Sequence, residues 1–359
     1  MNQKVVAYPL SAHNLVVIQN RKQLKQLEIV GAVSVEMSTD KSDTSFINEK
    51  SISDVTLYDN FESAIKNTDA VLILPLSNYA NTNLVISKIK YALSNNKRVF
   101  SMQKFDSDTL SSFTSFSSDL FTSLLNIESL NIETFYELLI HRIETPLVVV
   151  AGLSDECELP NLQLQLRSRL KELGYRVSQI GSMNYSEAFG FHSIPSFMTD
   201  NLITASDKIY RFNRFVKEIE VAEQPDIMVL GLPNALCPYN NKFTLGFGII
   251  PFYITQAVVS DYSIIALNYG EYNSEFIENL RSVLRFRFNL EPDCILMSDI
   301  HIDYNDIDNS GNTRHFTCGS EKVDKAIQCC EYEILNLHKN SDLNSLVEQL
   351  IENLSSNYV

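Results

Sequence analysis

The segment GLSDECELPN, at residues 152–161, stands where a phosphate-binding loop would stand but lacks the residues of one. It follows the apolar run LVVVAG and precedes a helical pattern. A P-loop requires G-x-x-x-x-G-K-[ST], because its glycines expose backbone N–H groups, its lysine neutralises phosphate charge and its hydroxyl binds Mg²⁺. With Gly152 at the first position, Glu158 replaces the lysine and Leu159 replaces the hydroxyl. The sequence therefore predicts that this loop does not bind ATP in the usual way.

Two interpretations of the loop remain open. It is a structural turn inherited from a nucleotide-hydrolysing ancestor, or it binds a different ligand or a peptide. In the second case the ligand-binding residues come from the loop and from the carboxyl edge of the sheet, where open α/β sheets bind ligands. The candidates are Gly152, Ser154, Asp155, Cys157, Asn161, Glu187, His192 and Asn234.

Cys157 is the candidate nucleophile of the loop. A nearby helix N-terminus lowers the pKa of a thiol, but three neighbouring acids, Asp155, Glu156 and Glu158, oppose that effect. The strand pattern DIMVLGLP at 226–233 ends without the carboxylate that holds Mg²⁺ in P-loop proteins. The sequence therefore assigns no catalytic residue.

The sequence predicts no metal site and no cofactor. Its 6 cysteines show no C-x-x-C spacing, and its 6 histidines are dispersed. The stretch at 303–312 begins like an EF-hand loop, but Thr317 replaces the glutamate at its twelfth position, which indicates an ordinary acidic turn. Among the histidines, only His301 and His315, with Asp299 and Asp303 nearby, are placed so that they could converge, and the sequence predicts no metal site there.

The bulk composition restricts the classes of partner. The 359 residues carry a formal net charge of −15, which disfavours nucleic acid and anionic membrane surfaces. No apolar run approaches the roughly 20 residues needed to span a bilayer. The N-terminal residues do not resemble a signal peptide, and the cysteines show no disulfide framework. We therefore expect a cytoplasmic protein that binds neither nucleic acid nor membranes.

Strand and helix patterns alternate along the whole chain, which predicts an α/β fold with two tandem three-layer units. Residues 1–144 form a Rossmann-like or flavodoxin-like domain, although no G-x-G-x-x-G follows its first strand. Residues 145–359 form a degenerate P-loop-NTPase-like domain with a mostly parallel sheet and C-terminal helices. The patterns also predict a helix at 131–144, a helix across 320–338 and a helix capped by Asp59. Residues 106–126 are expected to form a short helix or a loop.

Several segments resemble a known family. The stretch YPL…NRKQLKQLEIVGAVS and the later DNFESAIKNTDAVLIL resemble the N-terminal domain of a clostridial-type peptide maturation system protein. The stretch AGLSDECELPNLQLQLRSRLKELGYRVSQIGS, followed by EAFGF, is similar to the second domain of that family. The resemblance covers roughly residues 1–300. It implies partners from gene clusters for ribosomally made, bacteriocin-like peptides: a precursor peptide, a radical S-adenosylmethionine maturase and an acyl-carrier-related protein. It implies no catalytic residues.

These observations favour an accessory protein in the maturation of a ribosomally synthesised peptide natural product. Such a protein binds the precursor peptide or the maturase without the usual ATP hydrolysis, and it is expected to expose an apolar patch or a sheet edge. Two alternatives remain. One is a P-loop-derived ligase or transferase acting on the peptide, and the other is a small-molecule sensor that uses the cleft between the domains.

Overall fold

The computed structural model describes residues 2–11, 14–34, 54–76, 82–116, 119–125, 139–154, 157–242, 244–303 and 315–356. The chain divides into two compact units. The first comprises Met1–Glu128 and Asn184–Phe191, and the second comprises Ser129–Met183 and His192–Val359. Each unit contains one mostly parallel sheet with helices between its strands, so the predicted α/β class with two tandem three-layer units is confirmed.

The sheet of the first unit has six strands in the order β3-β2-β1-β4-β5-β6 among the described residues, and all its pairings are parallel. This is the strand order of doubly wound dinucleotide-binding sheets. The strands are β1 (Gln3–Leu10), β2 (Leu27–Ser34), β3 (Thr56–Tyr58), β4 (Ala70–Ile73), β5 (Arg98–Ser101) and β6 (Phe121–Ser123). The helices are α1 (Leu15–Gln19), α2 (Phe61–Lys66), α3 (Thr82–Ser94) and α4 (Ser107–Thr114).

The second sheet has seven strands in the order β15-β12-β11-β7-β10-β8-β9, again counted within the described residues. Its strands are β7 (Leu147–Gly152), β8 (Val177–Gly181), β9 (His192–Ser193), β10 (Ile227–Gly231), β11 (Tyr262–Leu267), β12 (Pro292–Met297) and β15 (Leu335–Asn336). A separate antiparallel pair joins β13 (Ile300–Ile302) to β14 (His315–Thr317). The helices are α5 (Leu159–Glu172), α6 (Ala205–Glu223), α7 (Ile249–Ala257), α8 (Ser274–Phe288), α9 (Ser320–Gln328) and α10 (Asn340–Ser356).

Strand β7 lies at the centre of this unit, and both of its faces are buried. Leu147, Val149 and Ala151 face a core that includes residues of α6, α7 and α8. Val148 and Val150 face a second core that includes residues of α5 and α10. A strand covered on both faces must be apolar throughout, which explains the run LVVVA. Because β7 is buried on both faces, its last residue, Gly152, is held in place at the carboxyl end of the strand.

Several boundaries differ from the predicted ones. Asn60, not Asp59, caps α2, because its side chain accepts the Ser63 N–H. The predicted loop or helix at 106–126 contains both α4 and the strand β6. The helix predicted at 320–338 ends at Gln328, and the short strand β15 follows.

The helix predicted at 131–144 is wrong over its described part, 139–144, which has no helical structure; 131–138 lie outside the described residues. Side chains of α6 bind this backbone instead. The amide Oδ1 of Asn213 accepts the His141 N–H at 2.7 Å, and the carboxylate of Glu220 accepts the N–H groups of Glu144 and Thr145 at 2.7 and 2.6 Å. These bonds satisfy the amides without a helix.

Candidate functional site

The segment after β7 lies at the carboxyl edge of the second sheet. The Leu153 N–H donates to the Ala266 carbonyl at 2.9 Å, and the Leu236 N–H donates to the Gly152 carbonyl at 3.1 Å. The loop is thereby attached to the neighbouring strands on both sides, and α5 begins directly after it at Leu159. This is the strand–turn–helix frame predicted from the sequence.

Side chains of the protein fill the interior of this loop. The Ser154 hydroxyl donates to the Asn268 amide oxygen at 2.5 Å, and the Cys157 thiol contacts the same oxygen at 3.3 Å. The Ser154 and Cys157 side chains are also 3.4 Å apart. All three residues are buried. The backbone N–H of Ser154, which would face a phosphate in an open cradle, points to the Cys157 sulfur at 3.5 Å.

Gly152 is needed for this closed form. A Cβ atom at this position would lie 2.7 Å from the Ser154 carbonyl oxygen and 3.2 Å from the Cys157 Cβ. The absence of a side chain at Gly152 therefore allows Ser154 and Cys157 to pack close to it. In a P-loop the glycines serve the close approach of a phosphate.

Glu158, which replaces the P-loop lysine, turns to a partner of opposite charge. Its Oε2 lies 2.7 Å from Nε2 of His338, and Oδ1 of Asp299 lies 2.9 Å from the same nitrogen. Burial alone would lower the pKa of His338, but its hydrogen bonds with Asp299 and Glu158 outweigh burial and raise the pKa to about 10. His338 is therefore an imidazolium at neutral pH, shared by two carboxylates.

The side chain of Gln163 covers the end of the neighbouring strand β10. Gln163 is fully buried on α5 and exchanges two hydrogen bonds with Ser182, at 2.9 and 3.2 Å. A Cβ atom on Gly231 would lie 2.2 Å from the Gln163 amide nitrogen. The glycine thus permits the close approach of α5 to the strand.

The structure distributes the remaining predicted site residues over several places. Asn161 lies in the first turn of α5 and is largely buried. Asn234 is exposed after β10, with a left-handed φ of 63°. Glu187 lies in a 3₁₀ turn, Ser186–Phe189, that groups with the first unit. Asp155 lies outside the described residues.

His192 forms a hydrogen bond with a carboxylate away from the loop. Its position on β9 is opposite Ile180 of β8, and its Nε2 lies 2.7 Å from Oε1 of Glu223 at the end of α6. Glu223 also accepts a hydrogen bond from Ser178 at the beginning of β8. The predicted residues that the structure brings together are therefore Ser154 and Cys157, beside Gly152.

Two residues of this edge, Asn268 and His338, were not singled out by the sequence analysis, and Asp299 was named there only as a neighbour of His301 and His315. Asn268 and Asp299 follow the parallel strands β11 and β12, and His338 follows β15. Examining the residues that follow each parallel strand would have identified Asn268 and Asp299. His338 was hidden because β15 was predicted as part of a helix. The convergence predicted for His301 and His315 has a different form: in the antiparallel register, His301 lies opposite Phe316, and position 315 lies opposite Ile302.

In the first unit the strand order reverses between β1 and β4, and one buried side chain forms hydrogen bonds with backbone near the ends of both strands. The buried Asn14 amide donates to the carbonyls of Pro9 and Pro75 at 2.7 and 3.2 Å and accepts the Ser11 N–H at 2.9 Å. In dinucleotide-binding proteins the pyrophosphate occupies this place. Here an asparagine connects the ends of the two strands.

The second unit has a cavity of about 310 Å³ at the amino end of β12. It is lined by residues that include Arg281, Asp293, Tyr332 and Glu333. It therefore lies at the opposite end of β12 from Asp299.

Within the described part of the chain, no helix has the length and apolar character required to cross a membrane.

The chain resembles solved structures in fold, while no protein-family model and no curated protein matches its sequence. A DUF1611 family protein from Anabaena variabilis has a TM-score of 0.62 and 10% identity over 98% of this chain and 100% of that chain. Cobyrinic acid a,c-diamide synthase from Mycobacterium smegmatis has a TM-score of 0.38 and 11% identity, and the match covers 59% of this chain and 96% of that chain. Hydrogenase maturation factor HypB from Archaeoglobus fulgidus has a TM-score of 0.31 and 12% identity, over 58% and 89% of the two chains. At such identities these likenesses concern the fold alone.

Proposed function

We propose that this protein is an accessory binding protein in the maturation of a ribosomally synthesised peptide, and that it does not hydrolyse nucleotides. The proposal that the protein does not hydrolyse nucleotides rests on the loop after β7, whose interior holds the side chains of Ser154, Cys157 and Asn268. The peptide-maturation context is supported by the sequence resemblance alone.

Nucleotide binding at this loop would require several unfavourable changes. The buried hydrogen bonds among Ser154, Cys157 and Asn268 would have to break, and each buried polar group left without a partner costs about 1–3 kcal/mol. A phosphate would then lie next to the carboxylate of Glu158, where P-loop proteins place a lysine. Both effects oppose the binding of an anion.

The buried state of Cys157 also disfavours the ligase or transferase alternative. A thiol nucleophile must reach the substrate, and the Cys157 side chain is fully buried among the loop's own groups. Attack on a substrate would therefore require the loop to open.

A surface suited to a protein or peptide partner lies on α8. Phe276, Val283 and Phe286 share one face of the helix and are 36%, 39% and 85% exposed. Phe247, which precedes α7, is 53% exposed, and its carbonyl accepts a hydrogen bond from Arg287 of α8. We call Phe276, Val283, Phe286 and Phe247 the α8 patch. An exposed apolar patch of this kind is the feature expected of an accessory binder.

Charge near the α8 patch favours an acidic partner segment. The C-terminal half of α8 contains Arg281, Arg285 and Arg287 and no acidic residue, in a chain whose net charge is −15. The Arg285 guanidinium lies 5.9 Å from the centre of the Phe286 ring. Aromatic residues and arginine are enriched at protein interfaces, so this end of α8 suits a peptide with aromatic and acidic side chains.

Calorimetric titration tests the nucleotide part of the proposal. The purified full-length protein is titrated with Mg-ATP and, separately, with Mg-GTP. We expect no saturable binding up to about 1 mM, which corresponds to less than roughly 4 kcal/mol of binding free energy. Micromolar affinity for either nucleotide would overturn the proposal that the loop is closed to phosphates.

A binding assay with defined partners tests the peptide part. The full-length protein is immobilised and exposed to a ribosomally made precursor peptide and to a radical S-adenosylmethionine maturase, the partners that the sequence resemblance implies. We expect binding of one of them, weakened at least about tenfold by Phe286→Ser or Val283→Ser, since central apolar anchors dominate interfaces. Leu202→Ser is the matched control, because Leu202 is 93% exposed but lies outside the α8 patch. Absence of binding to both partners would contradict the accessory role.

A further inference from the structure

We propose that Glu158, Asp299 and His338 form a binding site for a divalent transition-metal ion. Oε2 of Glu158 and Oδ1 of Asp299 lie 2.7 and 2.9 Å from Nε2 of His338. The ligand atoms of the three residues all lie within 4.8 Å of one another. This site is independent of the proposed function, because it needs neither a nucleotide nor a peptide.

Separate elements of the second unit bring the three residues together. Glu158 precedes α5, Asp299 follows β12, and His338 follows β15. The parallel strands β12 and β15 pair through Met297 and Asn336, which places Asp299 and His338 at the same edge of the sheet. Residues far apart in sequence therefore converge through the sheet itself.

The backbone around the site is fixed. The Asp299 carbonyl accepts the Cys318 N–H at 2.7 Å, and the His338 N–H donates to Oδ1 of Asn336 at 3.0 Å. Asn336 is fully buried, and its amide donates to Ser320 and Asp324. A fixed backbone holds ligands in place before the ion arrives.

Glu158 has a left-handed backbone conformation directly before α5. Its φ is 53°, in the region that disfavours residues with a side chain. In this conformation Oε2 of Glu158 lies 2.7 Å from Nε2 of His338.

The charge of the ligand set suits a dication. A divalent ion bound to the neutral imidazole of His338 and to the carboxylates of Glu158 and Asp299 would balance the two negative charges. The imidazole proton leaves to solvent when the ion binds, so metal binding competes with protons and weakens as the pH falls.

The geometry needs little adjustment to receive an ion. Metal–nitrogen and metal–oxygen bonds of about 2.1 Å place tetrahedral ligand atoms about 3.4 Å apart. The present separations of 2.7 and 2.9 Å would therefore widen by about 0.5–0.7 Å. One imidazole and two carboxylates suit Zn²⁺, Co²⁺, Mn²⁺ or Fe²⁺ better than Mg²⁺ or Ca²⁺, which prefer oxygen ligands alone. The His338 side chain is 27% exposed, which leaves room for water as a further ligand.

Metal titration of the intact protein tests the site. Full-length protein is treated with EDTA, desalted and titrated with ZnCl₂ by calorimetry and with CoCl₂ by visible absorption. We expect one ion per chain, and Co²⁺ bands typical of mixed nitrogen and oxygen ligands. His338→Gln and Asp299→Asn should each weaken binding at least about tenfold, as loss of even an outer partner does at metal sites.

His192→Gln is the matched control, because it removes a histidine that pairs with Glu223 elsewhere in the same unit. It should bind the ion as the unmodified protein does. Circular dichroism checks the folding of each variant. If His338→Gln and Asp299→Asn unfold, metal binding by Glu158→Gln, a change at a partly exposed position, tests the site instead. The proposal is overturned if neither ion binds saturably, or if the folded variants bind as tightly as the unmodified protein.

Discussion

Asn14 and Asn268 show how one buried side chain in each unit connects the ends of neighbouring strands. Each residue connects backbone or side-chain groups at the carboxyl ends of those strands. An amide supplies both a donor and an acceptor, so it satisfies polar groups of the loops at this edge. In both units, described residues at this edge are therefore bonded to other parts of the chain.

Glu220 makes folding stability depend on pH. Burial alone would raise the pKa of its carboxyl, but hydrogen bonds from Lys217 and from the amides of Thr145 and Glu144 outweigh burial and lower it. A lowered folded pKa gives stabilisation above the ordinary value of 4.5, which is lost as the pH falls through the folded value. Glu220→Gln should therefore reduce the free energy of unfolding by about 1–3 kcal/mol at neutral pH.

Urea denaturation at pH 7 and at about pH 3 measures this effect. The difference between Glu220→Gln and the unmodified protein should shrink at the lower pH, as the Glu220 carboxyl takes up protons and loses its charge. Glu218→Gln is the control, since its exposed pair with Arg214 contributes less than about 0.5 kcal/mol. A difference that stays constant between the two pH values would exclude a role for the charge of Glu220.

At the scale of elements, local signals determined most of what the sequence predicted. Helix α5 has Pro160 at its start and Gly174, with a φ of 93°, after its end, and it was found for those reasons. The two-residue strand β15 was missed because it depends on pairing with β12, which no local pattern reveals. The location of the loop after β7 was predictable, whereas its contact with Asn268, 114 positions from Ser154, was not.

The contact between α5 and β10 provides a prediction at this scale. Gly231→Ala places a methyl group against the buried side chain of Gln163 and should reduce the free energy of unfolding by about 1–3 kcal/mol, the usual cost of overpacking. In a Gln163→Ala background the added methyl group has room, so the same change should cost less than about 1 kcal/mol. Chemical denaturation of the four proteins measures the coupling. Equal costs in the two backgrounds would refute the steric explanation.

For the molecule as a whole, the segment Asn184–Phe191 links the folding of the two units. This segment leaves the second unit after β8 and packs with the first, where the Lys25 N–H donates to the Ala188 carbonyl at 3.1 Å. Phe189 is buried and lies near the rings of Tyr185 and Phe191. The first unit therefore depends on residues encoded beyond the beginning of the second.

Phe189→Ala should destabilise the first unit selectively. Removal of a buried phenylalanine ring costs about 3–5 kcal/mol. Hydrogen exchange followed by mass spectrometry should show faster exchange in peptides covering β1 and β2, with little change in β7 and β10. Phe286→Ala, at an exposed position on α8, is the control and should leave both regions unchanged. Faster exchange confined to the second unit would contradict the grouping of this segment with the first.

The grouping of Asn184–Phe191 with the first unit also affects how the gene can be divided. A single cut between residues 128 and 184 would yield a first product without its final segment and a second product carrying a segment that packs elsewhere. Neither unit is therefore encoded by one uninterrupted stretch of the gene, and a gene fragment that ends at codon 128 lacks part of the first unit.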